Sequence, residues 1–531
     1  MEGQVRTLRS GFLRSAERFP GRPALEVDGR TWTYLELMRR ATSLAATLDR
    51  HDTSRDPALT AVFAQRSATA FAGVLACLFR GHGYVPLNPG FPAERTRRML
   101  ERAGCRSVIV DAAAADGLDE VLTGIDRPLV LLLPDAPEAR RVVTRWPQHT
   151  LIDAGALESA DAWIPAPVGA DSLAYLLFTS GSTGIPKGVM VAQRNVLHFV
   201  DAMVDRYSVT EDDRFSQLFD LTFDLSAFDM FVAWERGACV CCPSAKDKLV
   251  PASWVNEARL SVWFSVPSTG VLLSRLRKLG PGTFPRLRLS LFCGEALPVA
   301  LAESWALAAP HSIVENLYGP TELTIACTAY RWDGQRSLGH CEQGLAPIGE
   351  PYPQMSALVV DESLRELPAG EARELLVTGP QLSLGYWRDP ERTAAAFVTP
   401  PGRSEIFYRT GDRVRRPSPE LPLVYLGRAD HQVKIQGYRV ELGEVEAALR
   451  EAAGVEVAIA LGWPVTASGA DAVTAFLGGE TGDVAAIQKR LRERLPGYML
   501  PREIRFVSEL PLNANGKVDR GALRRLLEAG S

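Results

Sequence analysis

The 531-residue chain lacks the features that mark membrane proteins, nucleic-acid-binding proteins and secreted disulfide-rich proteins. Its longest apolar runs, such as residues 129–133, are far shorter than the roughly 20 residues that span a bilayer. No apolar N-terminal segment resembles a signal peptide. The formal net charge of −4 gives no support for nucleic acid or an anionic membrane as a partner. We therefore expect a cytoplasmic protein with reduced thiols.

The eight cysteines also lack the spacing of metal ligands. Cys239, Cys241 and Cys242 cluster, but no histidine or Cys-x-x-Cys partner lies near them in the sequence. This segment therefore predicts a buried strand rather than a zinc site. Lysine is scarce as well, at 7 of the 59 basic residues. That bias, together with abundant alanine, indicates a GC-rich genome more than a phosphate-binding function.

The length of 531 residues is too great for one core and predicts about three or four domains or subdomains. The order of strand and helix patterns predicts an α/β fold. Strand-like runs at residues 59–64 and 107–110 flank a helical pattern at residues 69–80. Such alternation favours parallel strands that are buried on both faces. A Pro/Ala-rich spacer at residues 164–170 is a candidate linker between two subdomains.

The last hundred or so residues suffice for a small separate α+β domain. Helical patterns occupy residues 442–453 and 484–495, and strand patterns lie between them. We find no internal repeat, low-complexity tract or heptad pattern in the chain.

Residues 179–188 (TSGSTGIPKG) have a composition suited to holding a polyphosphate. Three glycines free the backbone to point N–H groups at an anion, four hydroxyls can donate, and Lys187 adds a positive charge. Apolar runs at residues 173–178 and 189–191 predict a loop between two buried strands. The segment does not fit a Walker A loop. The alternative is a flexible Gly/Ser linker, which the apolar flanks and the lysine argue against.

This loop and eight further segments, in order, resemble the motifs of the adenylate-forming enzymes. That superfamily contains acyl-CoA synthetases, luciferases and the adenylation domains of nonribosomal peptide synthetases. The sequences of several of these motifs are closest to those of the amino-acid-activating branch. The eight segments are residues 32–37 (WTYLEL), 83–87 (GYVPL), 316–322 (NLYGPTE), 384–387 (LGYW), 408–412 (YRTGD), 427–439 (GRADHQVKIQGYR), 495–501 (LPGYMLP) and 513–517 (NANGK).

The resemblance implies a large N-terminal domain of layered α/β subdomains at residues 1–429, which binds ATP and the amino acid. A small mobile C-terminal α+β domain follows at residues 430–531, with a hinge near Asp430. One domain position is implied to present Lys517 for adenylation. The other withdraws it and inserts the loop at residues 434–438, which opens a tunnel for a phosphopantetheine thiol. Gly437 would let this loop pack closely.

The implied first reaction is attack of a carboxylate on the α-phosphorus of ATP, from which pyrophosphate leaves. Two anions meet, so the site needs cations and hydrogen-bond donors more than an acid or a base. By resemblance, Lys517 bridges the two anions, Thr321 donates to the α-phosphate and Glu322 binds Mg²⁺. Lys434 completes the implied catalytic set.

The implied nucleotide site places Tyr318 on adenine and Asp412 on the ribose hydroxyls. Taken singly, each of these implied site residues could instead have an ordinary structural role. Glu322 could begin a helix, and Lys517 could be a solvated lysine in a turn. The implied ATP-contacting residues are Thr179, Ser180, Gly181, Ser182, Thr183, Gly184, Lys187, Gly294, Glu295, Asn316, Tyr318, Gly319, Asp412 and Arg428.

Asp224, in residues 223–229 (FDLSAFD), matches the position at which amino-acid-activating members hold the substrate α-ammonium. An unpaired buried carboxylate is costly, which favours an amino acid over a fatty or aryl acid. The alternative is that Asp224 or Asp229 only caps a helix.

By resemblance the substrate pocket is small and almost uncharged, with Lys517 closing it. We expect L-alanine first, then serine, cysteine or glycine, with proline, valine and β-amino acids left open. One methylene discriminates by only about 1–3 kcal/mol. The implied wall consists of Asp224, Leu225, Phe228, Ser265, Leu291, Cys293, Leu317, Ile325 and Ala326.

The sequence contains neither a Gly-Gly-x-Ser carrier site nor a His-His-x-x-x-Asp-Gly condensation motif. It therefore resembles a stand-alone adenylation enzyme, or one cut from a larger synthetase, that loads a separate carrier protein with an acidic docking helix. An acyl-CoA synthetase is the rival, and Asp224 argues against it. An inactive adenylate-binding homologue is a weaker rival, because Lys187, Glu322, Asp412 and Lys517 are all present.

Overall fold

The computed structural model describes residues 6–54, 56–136, 146–181, 186–428, 432–466, 469–479, 481–508, 510–511 and 518–529. In these ranges the chain forms five β-sheets, three before residue 429 and two after residue 431. This arrangement confirms the predicted α/β class with a larger N-terminal part and a smaller C-terminal part. Five predicted site residues lie outside the described residues: Ser182, Thr183, Gly184, Asp430 and Lys517.

The first sheet has seven strands and carries the predicted phosphate loop between its last two. Those two pair antiparallel and the other neighbours pair in parallel. The spacer at residues 164–170 joins two strands of this one sheet, so its assignment as a linker between subdomains was wrong. In spatial order the strands are Thr150–Asp153, Val130–Leu133, Ser107–Val110, Leu59–Phe63, Gly83–Leu87, Leu173–Thr179 and Lys187–Ala192.

The second sheet has nine strands and contributes most of the site. Its central strands are parallel and its edge pairs are antiparallel. Cys239 and Cys241 lie in a short buried strand, as predicted, and Cys242 follows it directly. In spatial order the strands are Glu350–Pro351, Thr328–Arg331, Ile313–Tyr318, Leu289–Phe292, Val262–Ser265, Arg214–Ser216, Cys239–Cys241, Pro23–Val27 and Arg30–Thr33.

The third sheet is antiparallel and brings Asp412 and Arg428 to the site. Its strands are Ser356–Val360, Ala372–Thr378, Phe407–Arg415, Phe397–Val398 and Val424–Arg428.

The C-terminal part has two small sheets and hydrophobic clusters of its own. Separate cores are what independent domains require, although the proposed boundary at residue 430 stays a prediction. The four-stranded sheet contains Tyr438–Glu441, Gln432–Ile435, Gly469–Ala470 and Val465–Thr466, and the three-stranded sheet contains Ala458–Gly462, Val473–Gly478 and Pro501–Val507.

Local sequence explains where the principal helices begin and end. Thr33 and Glu36 form a capping box at the start of one helix, which gives the WTYLEL segment a structural role. The predicted helix at residues 484–495 ends at Arg492, three residues earlier than expected, just ahead of Pro496. Within the described residues, every helix is too short or too polar to cross a bilayer. The α-helices are Leu8–Arg18, Tyr34–His51, Ala68–Phe79, Ala93–Ala103, Ala112–Ala115, Leu118–Leu122, Gln193–Tyr207, Leu225–Ala227, Ala233–Arg236, Ala245–Leu249, Ala252–Glu257, Pro267–Arg275, Val299–Ala308, Gly334–Leu338, Pro390–Ala396, Leu442–Ala453, Val484–Arg492 and Arg520–Ala529.

Candidate active site

A cavity of about 110 Å³ lies where the three N-terminal sheets meet the C-terminal part. Strand ends, the loop before a short helix and the first C-terminal hairpin all reach it. The predicted site residues that line it are Thr179, Ser180, Asp224, Leu225, Gly294, Tyr318, Gly319, Thr321, Asp412, Arg428 and Lys434.

Glu322 is a fully buried anion next to this cavity. Its Oε1 accepts hydrogen bonds from Lys187 Nζ at 2.9 Å and from the Tyr386 hydroxyl at 2.8 Å. Its Oε2 lies 3.3 Å from Arg439 Nη1. Burial alone would raise the pKa of Glu322, but the two cations hold it well below its ordinary value. Glu322 does lie in the first turn of a short 3-10 helix, Thr321–Leu323, but its side chain is a buried carboxylate held by cations.

Lys187 is itself buried and also lies 3.0 Å from the Tyr386 hydroxyl. Burial lowers the pKa of its ammonium, and Glu322 opposes that shift. In this structure, Lys187 of the predicted phosphate loop thus contacts the Glu322 carboxylate.

The nucleotide end of the cavity is organised around Asp412. The Tyr318 hydroxyl donates to one carboxylate oxygen of Asp412 at 2.5 Å, and Arg428 Nη1 donates to the other at 2.7 Å. These contacts hold an aromatic ring and a carboxylate side by side, which suits a nucleoside. The Thr179 hydroxyl in the cavity wall is buried and has no hydrogen-bond partner among the described residues, so it is a donor free for an anion.

Three predicted ATP contacts have structural partners instead. Asn316 Nδ2 donates to the Pro347 carbonyl at 2.8 Å, and the Ser180 hydroxyl donates to the Arg439 carbonyl at 2.6 Å. Glu295 accepts from backbone amides, as described below for the C-terminal loop.

Asp224 is buried at the amino-acid end of the cavity. Its Oδ2 accepts a hydrogen bond from the Ile325 amide at 3.2 Å. Burial raises the pKa of Asp224 to about 7. Asp224 occupies the N-cap position of the helix Leu225–Ala227 but makes no side-chain capping bond, and Asp229 lies inside the π-helical turn Phe228–Val232, so neither side chain caps a helix.

Beyond Leu225, the predicted side-chain pocket is filled. Phe228 packs against Phe264 and Phe215, with ring centroids 4.7 and 5.8 Å away. The other predicted wall residues are at most 1% exposed and lie behind the cavity wall: Phe228, Ser265, Leu291, Cys293, Leu317, Ile325 and Ala326.

A loop of the C-terminal part enters the cavity from the opposite side. The Gly437 amide donates to Glu295 Oε1 at 2.5 Å, and the Ser268 amide donates to Glu295 Oε2 at 2.7 Å. Gly437 has φ +84°, and a Cβ there would lie 2.4 Å from Val266 Cγ1. Lys434 lies in the cavity wall, where burial lowers its pKa.

Four residues that contact site residues, or join the two parts beside the cavity, were absent from the predicted site. Arg439 and Tyr386 lie inside recognised motif segments, but sequence order alone assigned them no role. Arg95 and Glu444 form a buried ion pair at 2.5 Å between the N-terminal and C-terminal parts. They are 349 positions apart, so no local pattern links them.

Comparison with known proteins places this geometry in a family. Residues 12–387 match the family model "AMP-binding enzyme", and residues 444–517 match "AMP-binding enzyme C-terminal domain". The chain is 34% identical, over 98% of its length, to phosphinothricin tripeptide synthetase PhsC of Streptomyces viridochromogenes, and covers 45% of that protein. It spans less than half the length of the curated relatives it matches.

Two solved structures cover nearly all of the chain. The Vibrio cholerae adenylation domain AlmE, in complex with glycyl-adenosine-5'-phosphate, has a TM-score of 0.87 and 30% identity, and covers 100% of this chain and 99% of its own. Holo-PA1221, a nonribosomal peptide synthetase protein with adenylation and PCP domains bound to a vinylsulfonamide inhibitor, has a TM-score of 0.78 and 25% identity, and covers 98% of this chain and 84% of its own. The chain belongs to the AMP-binding enzymes and, within them, to the AMP-forming adenylation domains of nonribosomal peptide synthesis.

Proposed function

We propose that this enzyme joins a small uncharged amino acid to ATP, forming aminoacyl-AMP and pyrophosphate, and then transfers the aminoacyl group to a carrier-protein thiol. The single observation that carries the proposal is the position of Asp224. Its buried carboxylate lines the same cavity as Tyr318 and Asp412, a hydrogen-bonded pair whose ring and carboxylate suit a nucleoside.

The substrate amine supplies the cation that Asp224 needs. A carboxylate with a pKa raised by burial regains its charge when an ammonium approaches. An amino acid supplies that ammonium, whereas a fatty or aryl acid leaves the buried group without it. This difference favours amino acids over simple carboxylic acids.

The filled space beyond Leu225 favours the smallest side chains. Enlarging the pocket would require displacement of Phe228 from its aromatic neighbours, which a close-packed core resists. Glycine and L-alanine therefore fit best, and serine and cysteine follow. The glycyl adenylate bound by AlmE is consistent with this size limit.

The residues at the nucleotide end fit ATP and Mg²⁺. Glu322 is an anionic oxygen ligand of the kind that Mg²⁺ prefers, and the Thr179 hydroxyl is an unused donor. Mg²⁺, when bound, would neutralise charge on the departing pyrophosphate. Thr321 would then donate to the α-phosphate, and Asp412 would accept hydrogen bonds from the ribose hydroxyls. Lys517, which lies outside the described residues, keeps its proposed role of bridging the two anions.

The C-terminal loop supports the proposed second half-reaction. In that step the phosphopantetheine thiolate attacks the aminoacyl carbonyl, a C–S bond forms, and AMP leaves with the electrons of the broken C–O bond. Lys434 and Gly437 reach the cavity in the arrangement proposed for this step. The division at residues 1–429 and 430–531, with a hinge at Asp430, would allow the alternation.

Intact-protein mass spectrometry tests the function directly. The enzyme is incubated with ATP, Mg²⁺, glycine or L-alanine and a panel of holo-carrier proteins, with CoA in a parallel reaction. We expect one aminoacyl mass increment on a holo-carrier and none on its apo form. Acylation of CoA in preference to every holo-carrier would make the enzyme an acid–CoA ligase and overturn the proposal.

A further inference from the structure

The filled end of the substrate pocket is a chain of packed aromatic rings. Phe228 lies 4.7 Å from Phe264, and Phe264 meets Phe219 edge to face, with ring centroids 5.0 Å apart. Phe215 and Phe199 lie 5.8 and 6.1 Å from Phe228. Aromatic contacts of this geometry stabilise a core beyond the area that they bury. The position of the Phe228 ring is therefore set by its neighbours as well as by its own helical turn.

Phe264 is the nearest of these neighbours, and its backbone is fixed in the nine-stranded sheet. It lies in the strand Val262–Ser265, which pairs in parallel with a strand on each side. Its amide donates to the Ser216 hydroxyl at 2.9 Å, and its side chain is fully buried. A ring held in this way moves little when a neighbouring ring is pushed against it, because the core is close-packed.

Side-chain alternation along this strand shows why resemblance indicated a different residue. Successive side chains of a strand point to opposite faces of the sheet. Phe264 packs in the hydrophobic cluster that contains Phe228, whereas Trp263 packs in a separate cluster. Ser265 is the wall residue that resemblance implies on this strand, and its hydroxyl accepts a hydrogen bond from Trp263 Nε1 at 3.0 Å. The side chain of this strand that packs on the Phe228 ring is therefore Phe264.

We propose that Phe264 is a positioning residue for substrate selection, because it holds Phe228 in the space that a larger amino acid side chain needs. Phe264 lies behind the cavity wall and acts through Phe228. The substrates that it excludes are branched aliphatic amino acids, such as L-valine and L-leucine. The proposal rests on the proposed function and names the residue that limits substrate size in it.

Shortening Phe264 should release Phe228. Removal of a buried ring leaves a void that the surrounding core fills only in part. Phe228 then shifts towards that void. It follows Leu225, which lines the active-site cavity, by three residues, or about one helical turn. A larger substrate side chain therefore gains room beyond Leu225, while Asp224 keeps its place for the amine.

The test compares Phe264 variants with a matched variant on the neighbouring strand. Phe264→Ala removes the ring, and Phe264→Leu keeps an apolar side chain of intermediate size. Phe292→Ala is the control, because Phe292 is equally buried and packs edge to face on Trp305 at 5.1 Å, in the separate cluster. ATP–pyrophosphate exchange gives kcat/KM of each enzyme for glycine, L-alanine, L-valine and L-leucine.

The measured quantity is the kcat/KM for L-valine or L-leucine divided by that for L-alanine. We expect this ratio to rise about tenfold or more in Phe264→Ala and about threefold in Phe264→Leu. Phe292→Ala should change it less than about twofold. Loss of folded enzyme lowers every rate in proportion and leaves the ratio unchanged. If Phe264→Ala does not fold, the ratio in Phe264→Leu decides the test.

A double-mutant cycle tests whether Phe264 acts through Phe228. Phe228→Ala opens a space large enough for the side chain of L-valine. In that background, adding Phe264→Ala should change the ratio for L-valine less than about twofold. An increase as large as the one in the wild-type background would show that the two residues act independently, and would overturn the positioning role.

Two further results would overturn the role of Phe264 and leave the proposed function standing. They are a ratio that stays within about twofold of wild type in the folded Phe264 variants, and an equal rise in Phe292→Ala. A wild-type enzyme that shows no exchange with glycine or L-alanine would instead overturn the proposed function, and the role of Phe264 with it.

Discussion

Arg439 of the C-terminal part lies 3.3 Å from Glu322 of the N-terminal part, so a guanidinium from one part contacts the carboxylate that suits Mg²⁺ in the other. Glu322 also binds Lys187 at 2.9 Å, and its side chain is fully buried. The placement of the C-terminal part is therefore coupled to the charge around Glu322.

Replacing Arg439 with glutamine should slow carrier loading more than amino acid activation. The substitution removes a cation that this domain arrangement brings to Glu322. We expect loading in a single turnover to fall by about tenfold, or 1.4 kcal/mol, while ATP–pyrophosphate exchange changes less than about threefold. Rapid-quench measurement of both steps checks this, and equal slowing of both would contradict the coupling.

Gly437→Ala should impair the same step for a steric reason. The new Cβ would meet Val266 at 2.4 Å, and the backbone has φ +84°. Gly454→Ala is the matched control, because Gly454 has φ +68° but nothing within 4 Å of a Cβ. Both variants carry a left-handed backbone penalty of about 1–2 kcal/mol. Only Gly437→Ala should slow loading, and a comparable loss in Gly454→Ala would show that backbone strain alone is responsible.

Lys187→Met should destabilise the N-terminal part. It leaves the fully buried Glu322 with Arg439 and Tyr386 but without its closest cation. Breaking a buried pair by removing one partner costs about 3–5 kcal/mol. Calorimetry should show a lower temperature for the main unfolding transition, whereas the exposed Lys489→Met should shift it little. An unchanged transition in Lys187→Met would mean that Arg439 and Tyr386 alone satisfy Glu322.

The pKa of Asp224, raised to about 7, predicts a pH dependence for substrate binding. The ammonium binds the carboxylate, so KM for the amino acid should fall as pH rises towards 7 and then level off. Asp224→Asn should raise KM and flatten this profile. Exchange assays from pH 5.5 to 8.5, a range set around this pKa, measure both effects. A pH-independent wild-type KM would exclude Asp224 as the titrating group.

The same shift has a consequence for the stability of the substrate-free enzyme. The folded state holds the Asp224 proton more tightly than the unfolded chain does, between the ordinary pKa of 3.8 and about 7. Stability from this group is therefore present at low pH and declines as pH rises through that window. Asp224→Asn should remove the part of the loss in folding stability that Asp224 causes. Thermal unfolding measured between pH 3.8 and about 7 checks this.

Local patterns predicted the regular elements better than the site. The strand Ser107–Val110 was predicted to the residue, because a short β-branched run between polar turns has one obvious reading. The two strands that flank the phosphate loop, Leu173–Thr179 and Lys187–Ala192, were also confirmed, since their apolar runs define them.

Contacts between distant segments were beyond the sequence. Arg95 and Glu444 form an ion pair because the N-terminal and C-terminal parts pack together. No local sequence pattern around either residue indicates this contact. Likewise, resemblance gave Phe228 as a pocket wall residue, but only packing shows that Phe264 and Phe215 keep it out of the cavity. Side-chain packing across sheets, rather than periodicity, decides such positions.

Isotope exchange between ATP and pyrophosphate tests the central claim most directly, when glycine and L-alanine are compared with their amine-free analogues acetate and propionate. The account predicts strong exchange with the two amino acids, almost none with the analogues, and little with aromatic or acidic amino acids. Strong exchange with propionate, or with phenylalanine or glutamate in place of glycine and alanine, would contradict it.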